Sequence, residues 1–127
     1  MTNTTNQSLI KNKQIDIHER IYKFVIRVVN MTKVVPKSEQ NKVLTNQVIR
    51  SATSMGANDQ EADGSLTRKD FVHNYVIVRK EGKETLYWLS VISDTNPLIS
   101  EKFKDLKQEC KEIVLIVSTI ISKTKNH

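Results

Sequence analysis

The 127-residue chain has one cysteine, two prolines, three glycines and only seven aromatic residues. A lone cysteine, Cys110, excludes an internal disulfide and any multi-cysteine metal site. It falls on an apolar helical face, so a buried small hydrophobe is expected there rather than a reactive thiol. So little proline and glycine leaves few turns, and the chain must be built from a few long regular elements. No stretch sustains a period-two alternation, so strands are not expected. The longest unbroken apolar run has five residues, Ile113 to Val117, far short of the roughly 20 that span a bilayer. The first residues also lack the apolar core of a signal peptide. A cytoplasmic protein that does not enter the membrane is the expectation.

Charge is unevenly spread. The net charge is +6, and positions 1–37 hold seven basic against two acidic residues. Positions 38–64 reverse the balance, with two basic and four acidic. A basic protein of this kind favours polyanionic partners, nucleic acid first, although lysine also serves solubility.

Hydrophobic periodicity predicts four helices. Residues 1–14 are polar and aperiodic and are expected to form a disordered tail, with a single domain over 15–123. The first helix runs from about Asp16 to Thr32, with Ile17, Ile21, Phe24, Val25 and Val28 on one stripe, and stops before Pro36. The second runs from near Ser38 to about Asp63, with Leu44, Val48, Ser51, Met55 and Ala62 on one side. Gly64 suits its terminus because glycine takes a positive φ without strain. Ser65 or Thr67 caps the third helix, whose inner stripe is Phe71, Tyr75, Val78, Gly82, Leu86 and Leu89. Asn96 and Pro97 end it. The fourth follows Ser100, with Phe103, Leu106, Cys110, Ile113, Val117 and Ile120 facing inward. Four helices of similar length with short connections imply an all-α, antiparallel up-down four-helix bundle.

Some apolar residues have no place in that core. Residues 113–121 are apolar nearly all round, and Val76 and Tyr87 point away from the third helix's inner stripe. Outward apolar groups predict an oligomer contact.

A polar shoulder runs along the second helix. Arg50, Ser54, Asn58 and Glu61 are separated by four, four and three residues, the spacing of one helical stripe. An amide near the buried side needs a partner, because leaving it unpaired costs about 1–3 kcal/mol. Glu81 and Glu84 on the third helix are placed to answer Arg50, and Asn58 is expected to bond across the helix pair. The six residues together predict a structural polar network that fixes helix register. Contact with a ligand or a nucleic-acid backbone through Arg50 and Asn58 is the alternative.

Catalysis and metal binding find little support. A carboxylate-bridged metal centre needs two Glu-x-x-His pairs and two further glutamates, whereas this chain offers only Asp70 and His73 at that spacing. His18 and His127 have no evident companions, and Asp59, Glu61 and Asp63 read as the solvated end of the second helix. There is no G-x-S-x-G setting and no glycine-rich phosphate loop. No enzyme, metal or cofactor is expected. For nucleic acid the candidates are basic residues off the apolar stripes: Lys23, Arg27 and Lys33 on the first helix, and Lys69, Lys80 and Lys83 on the third. Without interleaved aromatics, such binding would be electrostatic and non-specific.

The run from Arg50 to Leu89 carries a resemblance. R-S-A-x-S-x-G-A-N-x-x-E-A spans Arg50 to Ala62, K-D-F-x-H spans Lys69 to His73, and K-E-x-K-E-T-x-Y-W-L spans Lys80 to Leu89. This pattern resembles the bacterial four-helix-bundle family also called the 23S rRNA intervening-sequence protein or S23 family. The resemblance implies an up-down bundle assembling as a ring-like homo-oligomer, commonly a pentamer, without catalytic residues. Some members are encoded within intervening sequences of ribosomal RNA genes, and a related branch is the nucleic-acid-binding accessory protein of diversity-generating retroelements. Two positions depart from the family pattern. Gly82 stands where alanine is usual, and Asp59 where an apolar or aromatic residue is frequent, which leaves the outer contacts of that helix open. The expected function is a non-enzymatic oligomer that binds RNA or DNA through a basic outer surface. The alternative is a structural or adaptor oligomer that binds a protein partner.

Overall fold

A computed structural model of the chain describes residues 2–126, with side chains described for residues 17–126. Four α-helices, α1 (Thr2–Thr32), α2 (Glu39–Asp63), α3 (Arg68–Thr95) and α4 (Lys104–Lys125), make up the fold, with a 3₁₀ segment, Pro97–Phe103, leading into α4. The described residues contain no strand. The expected polar tail, residues 1–14, lies outside the residues whose side chains are described, as does His127. The helices pack as an antiparallel bundle in which α1 and α3 each lie against α2 and α4 and stand diagonal to one another.

Local chemistry sets the helix ends. Ser38 caps α2 by accepting from the Asn41 N–H at 3.0 Å, and Thr67 caps α3 by accepting from Asp70 N–H at 3.1 Å. Gly64 ends α2, but at φ −88°, so the left-handed geometry expected of it is not used. Its N–H returns to the Gln60 carbonyl and that of Ser65 to Ala62, which satisfies the last turn without a positive φ. At the end of the bundle where α1 turns into α2, buried Asn41 and half-buried Asn96 exchange amide hydrogen bonds of 2.9 and 3.0 Å. Asn41 also donates to the Pro36 carbonyl at 2.8 Å. This reciprocal pair ties the α1–α2 turn to the C-terminal end of α3.

The inner stripes meet in one core, in which Ile21, Phe24, Val28, Val48, Met55, Tyr75, Val78, Leu89, Ile113 and Val117 are all but inaccessible. The expected α4 stripe shifts at its end: Ile121 is buried and Ile120 only half-buried. Burying side chains of this size stabilises the bundle by about 1.5–3 kcal/mol each, before chain entropy is counted. Close helix approach depends on small residues. A Cβ on Gly82 would come within 2.8 Å of Val114 Cγ2 and 3.3 Å of Met55 Cε, and one on Gly56 within 3.3 Å of Val25 Cγ2. Gly82 therefore lets α3 settle between α2 and α4, and its carbonyl accepts from the Cys110 thiol at 3.3 Å.

Candidate nucleic-acid interface

The polar shoulder of α2 divides into separate pieces. The Arg50 guanidinium reaches α3, with Nη1 donating to Glu81 Oε2 at 3.3 Å and Nη2 to Glu84 Oε1, while Nε donates to Gln47 Oε1 at 3.0 Å. All of this sits at the rim of the α2–α3 seam, with the Arg50 side chain half exposed and Glu81 nearly buried. Asn58 does not cross to another helix. Its Nδ2 donates to the Ser54 carbonyl at 2.9 Å and to Ser54 Oγ at 3.3 Å, so the amide is satisfied within α2. Glu61 is exposed and its side chain takes no part in the network. Beside Arg50, a buried polar link between α2 and α3 comes instead from Ser51 with Thr85, oxygen to oxygen at 2.8 Å, while the Thr85 hydroxyl lies 2.8 Å from the Glu81 carbonyl.

Asp59 corrects the expectation of a solvated acidic end. Glu61 and Asp63 are exposed, but Asp59 is only 1% exposed, because it lies on the inner line of Met55 and Ala62. Its Oδ1 accepts from the Tyr75 hydroxyl at 2.7 Å and stands 2.8 Å from His18 Nδ1, while His18 Nε2 stands 3.3 Å from Asp63 Oδ1. His18 thus has companions that its sequence neighbourhood did not reveal. Burial drives the Tyr75 phenol well above its ordinary value, and the bond to Asp59 and that carboxylate's charge push it the same way. Tyr75 therefore stays a hydrogen-bond donor. The Asp59 Oδ2 atom is buried with no hydrogen-bond partner among the described residues. The cluster joins α1, α2 and α3. Among the described residues no group of three or more His, Cys, Asp or Glu could hold a metal ion.

Burial also raises the Cys110 thiol, from its ordinary 9.0 to about 12, with Glu109 contributing. Cys110 is fully buried, so it is a core group rather than an accessible nucleophile.

The six basic candidates do not form one patch. Lys23 and Arg27 belong to α1 and Lys69, Lys80 and Lys83 to α3, on diagonally opposed helices, while Lys33, expected on the first helix, falls one residue past the end of α1. On α1 the charge is partly answered, since Lys23 pairs with Glu19 at 2.9 Å. Lys33 sits apart at the α1–α2 turn, lining an open cavity of about 550 Å³ with Lys37 and Lys42.

The α3 set is organised differently. Lys69, His73, Val76, Lys80, Lys83 and Tyr87 are all exposed, and their spacing of four, three, four, three and four keeps them within about 40° of one line on the helix. The line is about 27 Å long. None of its three lysines forms an ion pair among the described residues. Exposed Arg68 and half-buried Arg79 flank it, and Asp70 and Asp94 are the exposed acids of this helix. Arg68 and Arg79 were not among the sequence candidates, although their positions beside Lys69 and Lys80 would have shown them.

No aromatic residue of the stripe is interleaved between its lysines, but one closes it beyond Lys83. Tyr87 is 58% exposed, and its ring meets that of Trp88 edge to face, with centroids 5.0 Å apart and planes at 72°. Trp88 is fixed in turn, its indole N–H donating to Glu84 Oε1 at 3.2 Å. Lysine at helical intervals with an open aromatic ring at one end can hold a line of negative charge and a flat apolar group together.

Among the described residues, no helix is long and apolar enough to cross a membrane. A search of curated proteins finds no match. Among solved structures, the chain is similar to a protein of unknown function from the S23 ribosomal protein family of Bacteroides thetaiotaomicron. The two are 31% identical with a TM-score of 0.78, over 87% of this chain and 98% of the other. The family model described as 23S rRNA-intervening sequence protein matches residues 13–119. The chain belongs to the 23S rRNA-intervening sequence protein family.

Proposed function

We propose that this protein is a non-enzymatic nucleic-acid-binding bundle that holds an RNA or DNA backbone along the outer face of α3. The observation that carries this reading is the line of Lys69, Lys80 and Lys83, exposed and without ion pairs among the described residues. Ammonium groups held in this way gain little from the protein itself. They release condensed counterions when they meet phosphates, which is the main source of non-specific affinity. The family's name, 23S rRNA-intervening sequence protein, refers to a ribosomal RNA and accords with a nucleic-acid context; a cytoplasmic location is part of the same proposal.

Assembly of several copies belongs to the same reading. Tyr22, Ile26 and Leu115 are exposed apolar side chains on α1 and α4, 63%, 44% and 67% accessible, away from the α3 stripe. A ring, pentameric by family resemblance, that covers these residues would repeat the α3 face around its circumference. Repetition multiplies a modest affinity through effective concentration.

Fluorescence anisotropy with labelled RNA and DNA at low salt tests the function. Micromolar or tighter binding is expected, lost in Lys80→Glu/Lys83→Glu. Absence of binding to either nucleic acid at low salt would leave the adaptor reading, in which the partner is a protein.

A further inference from the structure

We propose that Tyr87 is a stacking residue, and that the partner of the α3 face is an unpaired nucleic-acid strand rather than a duplex. This rests on the reading that the α3 stripe binds a nucleic-acid backbone. It adds which state of the nucleic acid is recognised and which residue recognises it.

Three observations combine. Tyr87 is open to solvent over more than half of its surface, although it is part of a bundle with ample apolar core. It lies on the line of the lysines, one helical turn beyond Lys83 and about 6 Å further along the axis. Its ring is held rather than free. Trp88 packs edge to face against it, the Trp88 indole is bonded to Glu84, and Glu84 is bonded to Arg50 from α2. A ring steadied in this way loses less freedom when something lies on it, which favours binding.

The neighbours of Tyr87 decide what that something is. A protein surface covering the ring with apolar groups would also take water from Lys83 and Lys80 without supplying anions. A nucleotide supplies both parts in one unit, a flat base for the ring and a phosphate for the adjacent ammonium. In a duplex the base faces are already covered by their neighbours, so only an unpaired strand can offer one. Because every base has such a face, the preference is for strandedness rather than sequence.

The test uses the full-length protein and four labelled probes about twelve nucleotides long: oligo(dT), oligo(U), an abasic strand with the same phosphates, and a DNA duplex. Oligo(dT) and oligo(U) are expected to bind about tenfold tighter than the abasic strand, within the range measured for single stacking contacts. Tyr87→Leu erases that difference, Tyr87→Phe keeps it, and Lys80→Gln weakens all probes by a similar factor. Equal binding of base-bearing and abasic strands by the natural protein overturns the inference while leaving the backbone reading intact. So does a duplex bound as tightly as a single strand. If Tyr87→Leu changes the assembled mass and leaves every affinity unchanged, the face is a contact between copies and the inference is wrong. Failure of all four probes to bind removes the backbone reading itself. The abasic comparison needs no variant, so a folding defect in Tyr87→Leu cannot rescue the proposal.

Discussion

Arg50 on α2 and Trp88 on α3 donate to the same carboxylate oxygen, Oε1 of Glu84. One atom therefore couples the register of two helices to the orientation of the tryptophan that braces Tyr87. Arg50→Ala should lower stability by about 1–2 kcal/mol, less than a fully buried pair because the guanidinium is half exposed. Arg50→Lys should recover only part of this, since one ammonium cannot bond Gln47, Glu81 and Glu84 together. Urea denaturation measures the loss, and Trp88 emission should shift to the red in Arg50→Ala. An unchanged midpoint and spectrum would show that the shared oxygen does not fix either element.

The Asp59 cluster calls for a double substitution. Asp59→Leu leaves the buried Tyr75 hydroxyl without its acceptor and should cost about 1–3 kcal/mol. Adding Tyr75→Phe removes the stranded hydroxyl, so the double variant should be more stable than Asp59→Leu alone. Thermal unfolding of the two singles and the double gives the coupling directly, and strict additivity would contradict it.

Gly82→Ala should destabilise the bundle even though alanine is the better helix former. The helical gain is about 0.5–1 kcal/mol, against about 1–3 kcal/mol for overpacking where the new methyl meets Val114. Combining it with Val114→Ala should return much of the loss. A more stable single variant in chemical denaturation would show that α3 and α4 can part without cost.

Alkaline pH should weaken the fold through Cys110. The folded thiol is raised from 9.0 to about 12, so below pH 9 both states keep the proton and the group has no effect on stability. Between pH 9 and about 12 the unfolded chain loses that proton while the folded chain keeps it, and stability falls by about 1.4 kcal/mol per pH unit. The Tyr75 phenol, also raised, adds a fall of the same sign at higher pH. Cys110→Ala should have a shallower slope than the natural protein above pH 9, whatever its absolute stability. A disulfide reagent should modify Cys110 only under denaturing conditions.

The four helices and their inner stripes were legible in the sequence because burial repeats at helical intervals. Asp59 was not, although it stands four residues after Met55 and three before Ala62 on the buried line. A carboxylate next to Glu61 and Asp63 reads as surface until its donors are known, and those donors come from helices 41 residues earlier and 16 later. Asn58 misled in the opposite direction, since an amide at that position can be satisfied by Ser54 one turn back. The α3 stripe was present in the spacing of Lys69, His73, Val76, Lys80, Lys83 and Tyr87. Its lysines suggest charge and its Val76 and Tyr87 suggest an oligomer contact, so the six look like two features until exposure shows one face. Gly82 reads as a weak point in a helix, and only the nearness of Val114 shows the close approach it allows.

The α3 stripe is tested most directly by the salt dependence of single-strand binding. The logarithm of the affinity of oligo(dT) should fall linearly with the logarithm of salt concentration, with a slope of about −0.7 for each phosphate held. Replacing Lys69, Lys80 and Lys83 with glutamine should make that slope shallower by about 2, with the helical spectrum unchanged. A slope that stays the same in the triple variant would place the binding charge elsewhere and contradict the account.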